Sequence, residues 1–133
     1  MLTKLAQTRR EKIFLTLCAL LALISLLQLW NHFKLQDQIE AANDQIAYFS
    51  ELSNRSLAGN ATQAAECLRS IVTHFPSGTK QTHGSALDTL VEHQRERAQL
   101  EIIAILRVRT RDDLGQKPEP WIKKYGKPQP RAF

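Results

Sequence analysis

A glycine-containing loop is the stretch of this 133-residue chain that most suggests chemistry. It reads Ser-Gly-Thr-Lys, from Ser77 to Lys80. A phosphate-binding P-loop has the pattern G-x-x-x-x-G-K-[ST] after a strand. Here the first glycine is absent, Thr79 separates Gly78 from Lys80, and the preceding segment has a helical pattern. The stretch therefore fits a turn between two helices better, although Lys80 and the loop amides could hold an anion.

A cysteine and three histidines are the next candidates, as possible metal ligands. Cys67, His74, His83 and His93 are separated by 7, 9 and 10 residues. These separations match no common zinc pattern. We therefore expect no bound metal and no cofactor, and we expect the histidines to be solvated or to cap helices.

Carboxylates alternate with arginines in one segment, which could indicate acid–base catalysis. Spacings of three and four residues are those of neighbours on the solvated face of a helix. No serine-hydrolase or zinc-protease motif accompanies them. The sequence therefore predicts that the protein is not an enzyme. The charged residues concerned are Asp88, Glu92, Arg95, Glu96, Arg97 and Glu101.

Alternating arginines follow that segment. Arg107 and Arg109 alternate with Leu106 and Val108, as they would in a strand. No second strand-like run exists to pair with them, so we favour a helix. Together with Lys80, Arg107 and Arg109 form the anion-binding alternative.

The elements that position these residues begin with an apolar segment, Ile13 to Trp30. Fifteen of its eighteen residues are apolar and none is charged. As a helix it would be about 27 Å long, close to the thickness of a hydrocarbon core. No pair of small residues that would suit signal-peptide cleavage follows it closely. The segment is predicted to be an uncleaved signal anchor, with the lipid bilayer as its first partner.

Flanking charge predicts the direction of insertion. Four basic residues, Lys4, Arg9, Arg10 and Lys12, precede the span, whereas Lys34 is the one basic residue in the twenty that follow it. Cytoplasmic flanks carry the excess of Lys and Arg. The N-terminus is therefore predicted to be cytoplasmic and the C-terminal part extracytoplasmic, at the inner membrane if the protein is bacterial.

Composition limits the part beyond the span to one small domain of about 100 residues. Cys67 is the one cysteine outside the membrane segment, so it is either buried or paired with a second copy. The net charge of +5 comes largely from the N-terminal stub and the C-terminal tail. No nucleic-acid-binding motif is present, and we expect no nucleic-acid partner.

A coiled-coil-like stem is predicted after the span, over residues 31–53. Its seam consists of Leu35, Ile39, Ala42, Ile46 and Phe49, at spacings of 4, 3, 4 and 3. The seam could pair with a second copy, pack against the protein's own domain, or bind a helix of another protein. The turn-rich stretch Ser53 to Thr62 should end the stem.

The remaining chain is predicted to form a small helical hairpin domain over residues 61–126, followed by a basic tail, 127–133. Helices are expected at 61–75, 86–110 and 121–125, with Asn60 or Thr62, and then Ser85, as N-caps. Trp121 and Tyr125 should dock on the long helix near Ile102 and Leu106.

The fold class predicted from these elements is all-α. It consists of a basic stub (1–12), one transmembrane helix (13–30), the stem and the helical domain. The functional prediction is a non-enzymatic, single-pass membrane protein that acts as an interaction module or accessory subunit of an envelope complex. Binding of an anion or envelope polymer is the alternative.

Overall fold

The computed structural model describes the backbone of residues 2–75 and 81–128 and the side chains of residues 11–75 and 81–128. It contains four helices and, within those ranges, no strand. The predicted all-α class is confirmed, and residues 105–110 are helical. The helices are α1 (Leu2–Ala58), α2 (Ala61–His74), α3 (Ala86–Thr110) and α4 (Pro118–Tyr125).

The chain divides into two compact units, Met1–Asp37 and Gln38–Phe133. In the first unit, α1 carries the one segment of the described residues that is long and apolar enough to span a membrane. Every side chain from residue 11 to residue 37 is exposed. This apolar segment, which no other described part of the protein covers, has the length and composition of a membrane span.

The end of α1 differs from the prediction. The helix continues through the turn-forming residues after Ser53 and ends at Ala58. The hydroxyl of Ser56 donates to the Ser53 carbonyl at 2.7 Å, and the Ser53 hydroxyl bonds to another helix, so neither disrupts α1. Gly59 and Asn60 alone form the break.

A capping box begins α2. The Asn60 side chain accepts from the Gln63 N–H at 2.9 Å, and the Gln63 side chain accepts from the Asn60 N–H at 2.8 Å. Two of the N–H groups at the helix start are thereby satisfied. Of the two predicted caps, Asn60 and Thr62, Asn60 is the N-cap, and the helix ends at His74, one residue before the predicted end.

Ser85 caps α3, as predicted. Its hydroxyl accepts from the Asp88 N–H at 3.1 Å. The Asp88 carboxylate binds the Gly84 N–H at 2.9 Å instead of the Ser85 N–H, so the box extends one residue further back. The left-handed Arg111, with φ of 59°, follows the last turn.

The short helix α4 begins three residues before the predicted start. Pro118 is compatible with the first helical position because that position has no intrahelical acceptor for an N–H. Gly126 ends the helix, as predicted, and its N–H donates to the Ile122 carbonyl at 2.9 Å.

One hydrophobic core occupies the second unit, and all four helices contribute to it. Trp121 is fully buried there. Docking of α4 on α3 is the prediction, and α4 does contact α3, but it packs more extensively on α2. The buried apolar residues are Ala42, Phe49, Leu52, Ala64, Cys67, Leu68, Ile71, Val91, Ala98, Ile102, Ile103, Leu106 and Trp121.

Candidate functional site

The predicted stem seam has two parts in the structure. Ala42 and Phe49 are buried in the core and Ile46 packs against it, because the protein's own helices cover this stretch of α1. Phe49 meets the Phe75 ring edge-on, with 5.6 Å between the centroids. Leu35 and Ile39 stay exposed, by 50% and 40%. Only the early part of the seam is therefore open to a partner.

A groove with a volume of about 220 Å³ lies between α1 and α3. Apolar side chains line part of it and polar side chains line the rest. The lining residues are Ile46, Phe49, Ser50, Ser53, Gln94, Arg97, Ala98 and Glu101.

Three side chains in this groove form a hydrogen-bonded chain. The Ser53 hydroxyl donates to one Glu101 oxygen at 3.0 Å, and Arg97 Nε donates to the other at 3.0 Å. The arrangement joins α1 to α3.

The two arginines of the anion-binding alternative both bind protein oxygens. Arg109 donates to the Ser56 carbonyl at 2.6 Å and also to the Leu57 carbonyl. These are carbonyls of the last turn of α1, so Arg109 caps that helix. Arg107 pairs with Asp113 at 3.0 Å. Lys80, the third residue of the alternative, lies outside the described residues.

A second groove, between α2 and α4, has a volume of about 630 Å³. At its edge two side chains of α2 hold the chain that follows α4. The Glu66 carboxylate accepts from the Lys127 N–H at 2.6 Å, and Arg69 donates to the Lys127 carbonyl at 2.9 Å. We call this pair the Glu66–Arg69 clamp. It binds the backbone of Lys127 and leaves the ammonium group exposed.

Asp112 joins the α3–α4 connection to α4. Its carboxylate accepts from Lys124 Nζ at 2.5 Å and from the Tyr125 hydroxyl. The bond from Lys124, and then the bond from Tyr125, holds the pKa of Asp112 below its ordinary value. The same bond from Asp112 raises the pKa of Lys124.

The structure places Cys67 and the histidines, the candidate metal ligands of the sequence, in separate surroundings. Within the described residues, no group of three or more His, Cys, Asp or Glu residues could hold a metal ion. Cys67 is buried, and its burial raises the pKa of the thiol. His74 lies against the Ser70 carbonyl, with 3.3 Å between its Nδ1 and that oxygen. A buried thiol of raised pKa is a packing residue rather than a nucleophile.

Comparisons of this chain with protein-family models, with curated proteins and with solved structures found no match.

Sequence reasoning missed the long-range contacts. The Arg109 cap joins residues 53 apart in the chain, and the clamp joins residues 61 apart. The sequence suggests Arg109 as an anion ligand because its spacing indicates a charged side chain but not the carbonyls that lie beside it in the fold. The signal that could have indicated this cap is a helix C-terminus without a local cap, together with an arginine near the end of a later helix.

Proposed function

We propose that this protein is a non-enzymatic, single-pass membrane protein whose helical domain serves as an interaction module or accessory subunit of a membrane complex. One observation carries the proposal. The helix that contains the candidate span also contributes Ala42, Phe49 and Leu52 to the core of the second unit. The domain therefore cannot complete its core without the helix that anchors it.

The polar side chains of the domain support a structural role. Arg109, the Ser53–Glu101–Arg97 chain and the Asp112 bonds all join helices of the same protein. No buried side-chain nitrogen or oxygen in the described residues lacks a partner. The buried polar side chains of the described residues therefore all bond within the protein, and none of them is left unpaired for a substrate.

Exposed apolar side chains on α3 support an interaction surface. Leu90, Leu100 and Val108 lie on the helix face opposite the core, and Val108 is 82% exposed. We propose these three exposed side chains, which lie 10 and 8 residues apart along α3, as separate contact points for another protein.

Site-specific photocrosslinking in intact membranes tests this surface. A crosslinker at Leu100 or Val108 is expected to capture a partner of defined mass, and one at the exposed Glu51 of α1 serves as the control. Equal or absent capture at all three positions would contradict the proposal.

The proposed orientation, with the N-terminus in the cytoplasm, has a separate test. A reporter that is active only outside the cytoplasm, fused after Phe133, should be active, because the basic flank stays inside. Reversing the charges, with Arg9 and Arg10 to Glu and Asp37 and Glu40 to Lys, should reduce or invert this activity. Unchanged insertion of the reversed protein would refute the charge argument.

Binding of an anion or envelope polymer is less well supported, because Arg107 and Arg109 already bind protein oxygens. Vesicles of anionic lipid, with neutral vesicles as the control, provide the test. Binding that disappears on the change Lys80→Ala would favour this alternative.

A further inference from the structure

The polar and small side chains of the predicted span are not distributed evenly around the helix. With roughly 100° of rotation per residue, Cys18, Ser25 and Gln28 fall on one side. Thr16, the remaining polar residue of the span, falls on the other. The rest of the surface is almost entirely Leu, Ile, Phe and Ala. One side of the helix thus differs chemically from the lipid-like remainder.

This side of the helix continues beyond the span with the residue spacing of a coiled coil. Its residues follow one another at spacings of 3, 4, 3, 4 and 3, and all are exposed within one uninterrupted helix. We call this set the pairing face: Cys18, Leu21, Ser25, Gln28, His32 and Leu35.

Gln28 carries the amide of the pairing face and lies two residues before Trp30, the last residue of the predicted span. Within the described residues no group hydrogen-bonds its amide, whereas the Ser25 hydroxyl donates to the Leu21 carbonyl at 2.9 Å. Lipid tails offer neither donors nor acceptors. An amide carries both, so the Gln28 side chains of two identical helices can satisfy each other.

We propose that the pairing face binds the same face of a second copy, giving a parallel dimer of α1 within the membrane. Two copies inserted in the same direction place each residue of the face at the depth of its own counterpart. Small Cys18 and Ser25 then allow close approach, and Gln28 bonds across the pair, which are the interactions that associate helices in lipid.

The structure also limits how far the pair extends. Ala42 and Phe49, later in the predicted seam, are buried in the protein's own core and are not available to a second copy. The pairing face ends before them. The inference rests on the proposed function in one respect, since the span must lie in a bilayer.

Cys18 provides a direct test, because it belongs to the pairing face. The full chain, with Cys67→Ser, is oxidised in native membranes with copper-phenanthroline. We expect a disulfide-linked species of twice the chain mass of 15.2 kDa. The matched control moves the thiol to the next residue, with Cys18→Ala and Ala19→Cys, at the same depth but roughly 100° around the helix. It should crosslink several-fold less.

The amide is tested separately. Gln28→Leu should lower the association constant of the dimer about threefold or more, the usual effect of one polar contact between membrane helices. Thr16→Val removes a polar group from the other side and should change nothing. Gln28→Asn, which keeps an amide, should retain most of the dimer.

Extraction with alkaline carbonate separates the two proposals. If alkali removes the chain from the membrane, the anchor and the pairing are both wrong. If the chain resists alkali but crosslinks equally at positions 18 and 19, or if Gln28→Leu has no effect, the pairing alone is wrong. A crosslinked product of a different mass would also overturn it, because the partner would then not be a second copy.

Discussion

Arg109 shows how one side chain can complete the end of a helix that lies far away in the chain. The last carbonyls of an α-helix have no intrahelical donors, and α1 meets this need from α3. A guanidinium suits the position because its several N–H groups can reach two neighbouring carbonyls, those of Ser56 and Leu57. Its positive charge also complements the negative end of the helix dipole.

Removing this cap should destabilise the protein. We expect Arg109→Ala to lower the free energy of unfolding by about 1–2 kcal/mol, because two carbonyls lose a charged donor. Thermal unfolding of the full chain in detergent, followed by circular dichroism, measures the effect. Arg107→Ala is the control, and loss of its exposed ion pair should cost less than about 1 kcal/mol. Equal losses for both variants would contradict the capping role.

Asp112 makes the stability depend on acid. A carboxyl whose pKa falls on folding stabilises the fold above its unfolded value, about 3.9, and loses that contribution as the pH falls through the folded value. As the pH drops below about 4, the urea concentration at the unfolding midpoint should therefore decrease, in part because Asp112 becomes protonated. Asp112→Asn should lower the urea midpoint at neutral pH and should make the midpoint less dependent on pH in acid.

Asp113→Asn is the matched control for that measurement. Asp113 is adjacent in the chain, but it pairs with Arg107 and not with α4. This variant leaves the bonds from Lys124 and Tyr125 intact, so its urea midpoint at neutral pH should fall less than that of Asp112→Asn. If Asp112→Asn leaves the pH profile unchanged, the bonds from Lys124 and Tyr125 do not contribute to folding.

At the scale of elements, local sequence signals specify two of the helix starts directly, but they do not specify the end of α1. Asn60 and Ser85 were both predictable as N-caps, because each cap is made by residues three positions apart. The end of α1 was not predictable. Ser53 and Ser56 favour turns by composition, yet one bonds to Glu101 on α3 and the other to its own helix. Only the packed fold provides the first of these bonds.

Gly126 is where the end of α4 meets the Glu66–Arg69 clamp. A Cβ atom there would lie against Arg69 Nη2 and only 2.5 Å from the Ile122 carbonyl oxygen. Gly126→Ala should therefore displace the clamp and cost about 1–3 kcal/mol. Lys127→Ala is the control, because the clamp holds backbone atoms, and it should change stability by less than about 0.5 kcal/mol. Urea unfolding of both variants makes the comparison, and a stable Gly126→Ala protein would show that the clamp is loose.

At the scale of the whole molecule, α4, the shortest of the four helices, contributes one buried aromatic residue, Trp121, to the core. An eight-residue helix is too short to persist alone. Trp121 holds α4 in place by full burial and by a hydrogen bond from its indole Nε1 to the Gly115 carbonyl at 2.9 Å. The Tyr125 ring stacks beside it, with 6.2 Å between the centroids.

Trp121→Ala should leave membrane insertion intact but make the second unit sensitive to protease. Truncating a buried Trp costs about 3–5 kcal/mol, which is comparable with the whole stability of a small domain. Limited proteolysis and carbonate extraction of the same membranes measure the two properties. Trp121→Phe keeps most of the packing and should be intermediate. An unchanged digestion pattern for Trp121→Ala would show that α4 is not needed by the rest of the core.

The sequence predicted the all-α class, the candidate span, α3 and the apolar faces of the helices, because periodicity and composition report local structure directly. It could not decide which surface covers Ala42 and Phe49, since an apolar seam reads the same whether its partner is a second copy or the protein's own helix. It likewise could not show that Arg109 meets a helix end. Such contacts depend on how distant segments pack.

The shared use of α1 determines which cleavages would separate the second unit from the candidate span with its core complete. A protease that cuts between residues 31 and 37 would release a fragment that still contains Ala42, Phe49 and Leu52, and hence the complete core. A cut after Leu52 would instead leave these three residues with the anchor and expose the apolar faces of α2 and α3. Release of a fragment with a complete core is therefore confined to cuts that fall before Ala42, just beyond the candidate span.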